Sequence, residues 1–218
     1  MNTTKKDTAH FIKLYEKAIP DPICDTLIDI FESNVDKTFE ASYRRGDQEE
    51  AKTDGHLELV LTGLKEDDES FNMFHSSLAN LVENQIRQYI DEIEFWSSLY
   101  PKHHSLEHFK LKRYEYSKEN VKYHTDADNR CGVQKLLTVL CYLNDVTDGG
   151  TLVFPDYDIR YPAAKGSIII FPSTWMFPHF AEHPFSNSKY VMTTFTQYSR
   201  LCDNLRGACI NSAHEKFG

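Results

Sequence analysis

The sequence predicts an α+β protein in a single domain: a helical N-terminal part over about residues 1–105, a β sandwich or barrel over 106–200 and a polar C-terminal tail over 201–218. Three observations lead there. Phe71, Phe74, Leu78, Leu81, Ile86, Tyr89, Ile90, Ile93 and Trp96 recur at helical spacing, which predicts one long helix over about 70–97. Beyond residue 105 the pattern changes to short β-like runs separated by turn residues. At 218 residues, with 40% hydrophobic and 26% charged side chains, the chain is long enough to bury its own core without cross-links.

Taken in order, Asp21-Pro22 reads as a helix cap followed by proline in the first turn, and Ile23, Leu27, Ile30 and Phe31 continue an amphipathic helix to about Asp36. Residues 40–56 are polar, with Arg44-Arg45-Gly46-Asp47 and Glu49-Glu50, and read as a mobile loop, a solvated one or a lid over substrate. His56 to Leu61 forms a strand candidate. His75 on the long helix is expected to be structural, and Pro101 with His103-His104 marks a break. The β-like runs then fall at about 108–116, 121–126, 134–143, 151–154, 158–161, 166–171 and 189–198. Asp148-Gly149-Gly150 and Pro162 to Gly166 supply turns. His103, His104 and His108 are expected in solvent, with a substrate entrance as the alternative, while Arg160 and Trp175 are candidates for an active-site mouth.

Composition narrows the function classes. A formal net charge of -9 and a pI near 5.5 argue against nucleic acid as a partner, because that affinity rests on cationic neutralisation of phosphates. The five cysteines, Cys24, Cys131, Cys141, Cys202 and Cys209, are odd in number and scattered, as expected of reduced thiols. The first ten residues lack the apolar run of a signal peptide, and no window reaches membrane-spanning length. The expectation is a cytoplasmic protein with no membrane partner. Nothing in the pattern specifies an oligomeric state.

Chemistry concentrates around Tyr123-His124-Thr125-Asp126. On an extended strand residues i and i+2 share a face, so His124 and Asp126 can aim at one metal ion. Trp175-Met176-Phe177-Pro178-His179 follows the apolar stretch Ile168 to Phe171 and offers His179 as a third ligand, with His183 as the competitor. Lys189 then falls in phase with Val191, Thr193 and Phe195, the inward side of a strand, where a buried ammonium calls for an anion. Two histidines and one carboxylate leave three adjacent coordination positions open, the arrangement of non-haem Fe(II) oxygenases. A bidentate 2-oxo acid fills two of them and O2 the third.

These residues, in order, resemble the 2-oxoglutarate and Fe(II)-dependent dioxygenases, particularly the prolyl 4-hydroxylase type. The resemblance runs from about Leu111 to Tyr198, through Arg113-Tyr114-Glu115-Tyr116, His124-x-Asp126, Leu137 to Asp145, Gly149 to Pro155, Pro162, Gly166, Phe171, and His179 with Lys189 ten residues later. It implies a double-stranded β-helix, with the N-terminal helices packed on one sheet. It implies Fe(II) held by His124, Asp126 and His179, and 2-oxoglutarate held through its distal carboxylate by Lys189 with help from the Thr138 hydroxyl. Tyr114 resembles the tyrosine that hydrogen-bonds the cosubstrate, with Tyr116 as the alternative. The implied reaction hydroxylates an unactivated C–H bond, most simply of a peptidyl proline, with succinate and CO2 as co-products and ascorbate as a candidate further cofactor. A free amino acid, small metabolite or nucleobase is the alternative substrate. A non-catalytic jelly-roll metal-binding protein is the reading from another class. Three places depart from the family pattern: Leu152 after the double glycine, Pro184 five residues after His179, and Phe195 where tryptophan is frequent.

Overall fold

The computed structural model describes residues 8–43, 52–62, 64, 68–101, 103–116, 121–127 and 134–198. Its elements in chain order are β1 (Lys13–Tyr15), α1 (Asp21–Glu32), β2 (Phe39–Tyr43), β3 (Lys52–Val60), α2 (Glu69–Glu92), β4 (His104–Leu106), β5 (Lys110–Tyr114) and β6 (Val121–His124). β7 (Lys135–Tyr142), β8 (Leu152–Phe154), β9 (Ile159–Tyr161), β10 (Ile168–Pro172), β11 (His179–Ala181) and β12 (Lys189–Tyr198) complete it. The strands pair antiparallel in two sheets. The major sheet has the order β1-β10-β7-β12-β5-β3-β2, with β4 also on β12, and the minor sheet has the order β6-β11-β8-β9. This is the expected double-stranded β-helix with helices against one sheet. No helix among the described residues is long and apolar enough to cross a membrane.

Strand alternation sorts the apolar residues into two cores. Leu59, Leu111, Val139, Cys141, Ile168, Ile170 and Met192 point out of the major sheet toward Leu27 and Phe31 of α1 and Leu78, Val82 and Ile86 of α2. Tyr142, Ile169, Phe171 and Val191 point the other way and meet Leu152 and Phe154 of the minor sheet. The second core is the interior of the barrel, and the site opens into it.

Four details differ from the sequence reading. The N-terminal part is not simply helical, since β1, β2 and β3 extend the major sheet. Residues 40–43 and 52–56 are not loop but the β2–β3 pair, whose polar residues disguise it, and residues 44–51 lie outside the described residues. α1 starts one residue earlier than its cap signal, with Pro20 at the N-cap and no side-chain cap, and stops at Glu32, where Asn34 turns back to donate to the Ile30 carbonyl at 2.8 Å. α2 ends at Glu92 and tightens into a 3-10 turn over Glu94–Leu99 ahead of Pro101. Its start is ordinary: the Asp68 carboxylate accepts from the Phe71 N–H at 3.0 Å. Cys131, Cys202, Cys209 and the 201–218 tail also lie outside the described residues.

Candidate metal centre

β6 and β11 are short neighbours whose register sets His124 directly opposite His179, so the two imidazoles leave the minor sheet on one side with ring centroids 4.5 Å apart. The chain leaves β6 after His124, and Asp126 comes back between the rings. Its Oδ1 lies 3.6 Å from His124 Nε2 and its Oδ2 lies 3.7 Å from His179 Nε2. One donor atom from each of the three residues falls within 4.8 Å of the others. Side-chain exposure is graded across the group, with His124 at 40%, Asp126 at 14% and His179 at 5%, so the cluster is open on the His124 side.

Supporting contacts fix each donor. The His179 Nδ1–H donates to the Phe177 carbonyl at 3.1 Å, which leaves the Nε2 lone pair for the cluster. Phe171 and Phe154 pack on the same ring at 4.9 and 5.3 Å and keep water from its inner side. The Thr138 hydroxyl donates to Asp126 Oδ2 at 2.7 Å and lies 2.8 Å from the Ser173 hydroxyl. Burial alone would raise the pKa of the Asp126 carboxyl. The neighbouring His124 and His179 imidazoles and the Thr138 hydroxyl outweigh it and hold the group ionised, well below the usual carboxylate range.

Lys189 occupies the first position of β12, 1% exposed, beside its register partner Tyr114. Its ammonium donates to the Gly150 carbonyl at 3.1 Å and sits 4.6 Å from the centre of the Tyr114 ring. No carboxylate among the described residues lies within ion-pair range of it. Burial pushes its pKa down to about 8, with the charge of Glu182 opposing the shift. Gly150 reaches this place through a turn in which Gly149 and Gly150 both have positive φ, 73° and 70°, and a Cβ on Gly149 would collide with the His183 carbonyl.

Residues 109–197 match the family described as the 2OG-Fe(II) oxygenase superfamily. Over its β core, the chain matches that superfamily. The match implies Fe(II), 2-oxoglutarate and O2, and the donor set fits: two imidazoles and an ionised carboxylate for the metal, and a buried cation for a dicarboxylate. The chain also resembles solved structures by fold. A viral collagen prolyl hydroxylase from Paramecium Bursaria Chlorella virus-1, in a 2OG complex, superposes with a TM-score of 0.58 at 15% identity, over 86% of this chain and 96% of that one. A Pseudomonas putida prolyl-4-hydroxylase gives 0.57 at 15%, over 87% and 93%. A Trichoplax adhaerens prolyl hydroxylase, in complex with a hypoxia inducible factor oxygen degradation domain peptide fragment, gives 0.65 at 16%, over 87% and 84%. No curated protein matches the chain by sequence.

Of the residues singled out from sequence, His124, Asp126 and His179 come together in the structure, and His183 does not join them. Its carbonyl accepts from Gly150 N–H instead, and its ring turns toward Phe185. Tyr114 faces Lys189, whereas Tyr116 is 58% exposed. Thr138 stands elsewhere than expected: its hydroxyl is engaged with Asp126 and Ser173, while Lys189 enters β12 six positions from Phe195, the register partner of Thr138. His104 bonds Glu83 of α2 at 3.1 Å, on the helical side of the major sheet, and His75 is packed edge-on against Phe109 as a structural residue. Trp175 is 76% exposed just ahead of β11, and Arg160 pairs with Glu182.

Sequence reasoning missed Ser173, Tyr142 and the polar pair His56 and Glu58. Tyr142 lies buried beside Tyr114 with its oxygen accepting from the Leu152 N–H. The signal for it was parity, since Tyr142, Leu140 and Thr138 share one face of β7.

Proposed function

We propose that this oxygenase uses Fe(II), bound by His124, Asp126 and His179, and 2-oxoglutarate, bound through Lys189, to hydroxylate an unactivated C–H bond of a peptide, with peptidyl proline as the target. When bound, Fe(II) and 2-oxoglutarate supply the oxidation of the C–H bond by O2, one oxygen atom going to the substrate and the other to succinate as CO2 leaves. The protein residues bind and orient. Thr138 holds the Asp126 carboxylate, the Phe177 carbonyl holds the His179 tautomer, and Phe154 and Phe171 exclude water behind that ring. Tyr114 lies beside the lysine in position to contact the cosubstrate.

The observation that carries this reading is the Lys189 ammonium, buried in the barrel with a neutral carbonyl and an aromatic ring as its only partners among the described residues. Such a charge is costly to bury unless an anion meets it. The proline target is supported by the likeness of fold to prolyl hydroxylases. We place the reaction in the cytosol, in keeping with the unpaired thiols of Cys24 and Cys141.

The test is a proline-peptide panel incubated with Fe(II), 2-oxoglutarate and ascorbate, with and without the 2-oxo acid, and read as mass gain of one oxygen atom beside succinate. Hydroxylation dependent on 2-oxoglutarate is expected. Succinate without any modified peptide would remove proline from the reading and leave the reaction class. A second expectation concerns support of the metal: Thr138→Val, which removes the donor to Asp126, weakens Fe(II) binding by roughly 10- to 100-fold in an anaerobic titration.

A further inference from the structure

The inner face of β3 and β5 carries charge for which the metal and cosubstrate sites have no use. The register sets His56 opposite Tyr114 and Glu58 opposite Lys112, and the His56 ring stacks on Tyr114 at 4.5 Å, so these residues share the face that holds Lys189. Glu58, 6% exposed, is surrounded: His56 Nε2 lies 3.1 Å from Oε1, Lys112 Nζ 3.3 Å from Oε1 and Lys110 Nζ 3.4 Å from Oε2. Burial would raise the Glu58 carboxyl, but His56 and the two lysines hold it well below the usual range.

Among the described residues, two ammonium groups therefore meet one carboxylate, one positive charge in excess. Two buried polar atoms beside it have no hydrogen-bond partner among the described residues, His56 Nδ1 and Thr193 Oγ1, the latter on the residue opposite Lys110 in the β12 register. A purely structural filling of this face would be cheaper with apolar side chains, since buried charges rarely repay their desolvation. A partly buried cation pair around one carboxylate, with unpartnered polar atoms on the face that also holds Lys189, is complementary to a second anion.

We propose that Lys112, with Lys110 at the rim and Thr193 alongside, receives a carboxylate of the primary substrate. The oxygenase then selects acidic substrates. The carboxylate is either an Asp or Glu side chain next to the hydroxylated residue of a peptide, or the α-carboxylate of a free amino acid. The proposal rests on the reading of Lys189 as the anchor of 2-oxoglutarate, which leaves the Lys112 cluster for the other substrate.

The experiment compares kcat/KM for three matched substrates with the full chain, Fe(II) and 2-oxoglutarate: a proline peptide flanked by alanine, the same peptide flanked by Glu or Asp, and free amino acids. At least a tenfold preference for a carboxylate-bearing substrate is expected, and whichever acidic arm wins identifies the source. That comparison needs no variant. Lys112→Met is expected to erase the preference through KM, Lys112→Arg to restore it, and Glu58→Gln, which removes the competing carboxylate, to increase it. Opposite shifts from neighbouring substitutions are not what a merely structural pair produces. Equal rates on neutral and acidic substrates overturn the proposal while leaving the 2-oxoglutarate reading intact. A Lys112→Met enzyme whose KM rises for 2-oxoglutarate alone assigns the lysine to the cosubstrate and also overturns it. Absence of succinate with every substrate sinks the underlying reading and this one with it.

Discussion

Asp126→Ala brings Fe(II)-dependent conversion of 2-oxoglutarate to background while the protein stays folded. The carboxylate is the one anionic donor of the cluster, lying 3.6 and 3.7 Å from the two histidine nitrogens, and without it two neutral imidazoles remain. The fold does not depend on it to the same degree. Thr138 keeps its contact with Ser173 at 2.8 Å, so the loss is about one hydrogen bond, roughly 1 kcal/mol. The checks are succinate formation, bound iron by elemental analysis and a thermal melt. A variant that retains stoichiometric iron and full turnover would remove Asp126 from the metal site.

Lys189→Met raises the KM for 2-oxoglutarate by roughly 30- to several thousand-fold, the 2–5 kcal/mol that follows removal of one member of a buried charge pair. Its melting temperature is expected to hold or rise, because an unpaired buried ammonium is exchanged for an apolar chain of similar length. The wild-type enzyme carries a pH signature of the same residue. With the ammonium pushed down to about 8, the charged form that attracts the dicarboxylate prevails below that pH, and the KM for 2-oxoglutarate rises as pH climbs through it. The methionine variant lacks that rise. A KM unaffected by the substitution would detach the lysine from the cosubstrate.

Most of the barrel was legible because its strands follow a simple rule. The runs beginning near 134, 166 and 189 alternate or stay apolar and are found as β7, β10 and β12. What escaped was short or disguised. β1, β4 and β11 have three residues each, too few for any period to declare itself, and their pairing comes from neighbours remote in sequence. His179 was placed correctly after a turn, but its partnership with His124 is a matter of register, which no local pattern carries. The polar residues His56, Glu58, Lys110 and Lys112 show the deeper limit. Alternation separates two faces of a strand without saying which is inside, and charge normally marks the outside. Here the apolar alternates Leu57, Leu59 and Leu111 cover the helices, and the charged ones lie on the barrel side.

The strand that carries Lys189 also sits in the middle of the major sheet, with β7 on one side and β5 on the other, although it is the last strand in chain order among the described residues. A ribosome therefore emits both halves of that sheet before it emits the piece that joins them. Until it arrives, β5 and β7 share no ladder, the wall behind the three metal donors is split and the buried cation is missing. Assembly of this kind, dominated by pairing between distant segments, is intrinsically slow. It ties assembly of the three-donor cluster and of the pocket around the buried cation to completion of the barrel, so that a half-made chain has neither.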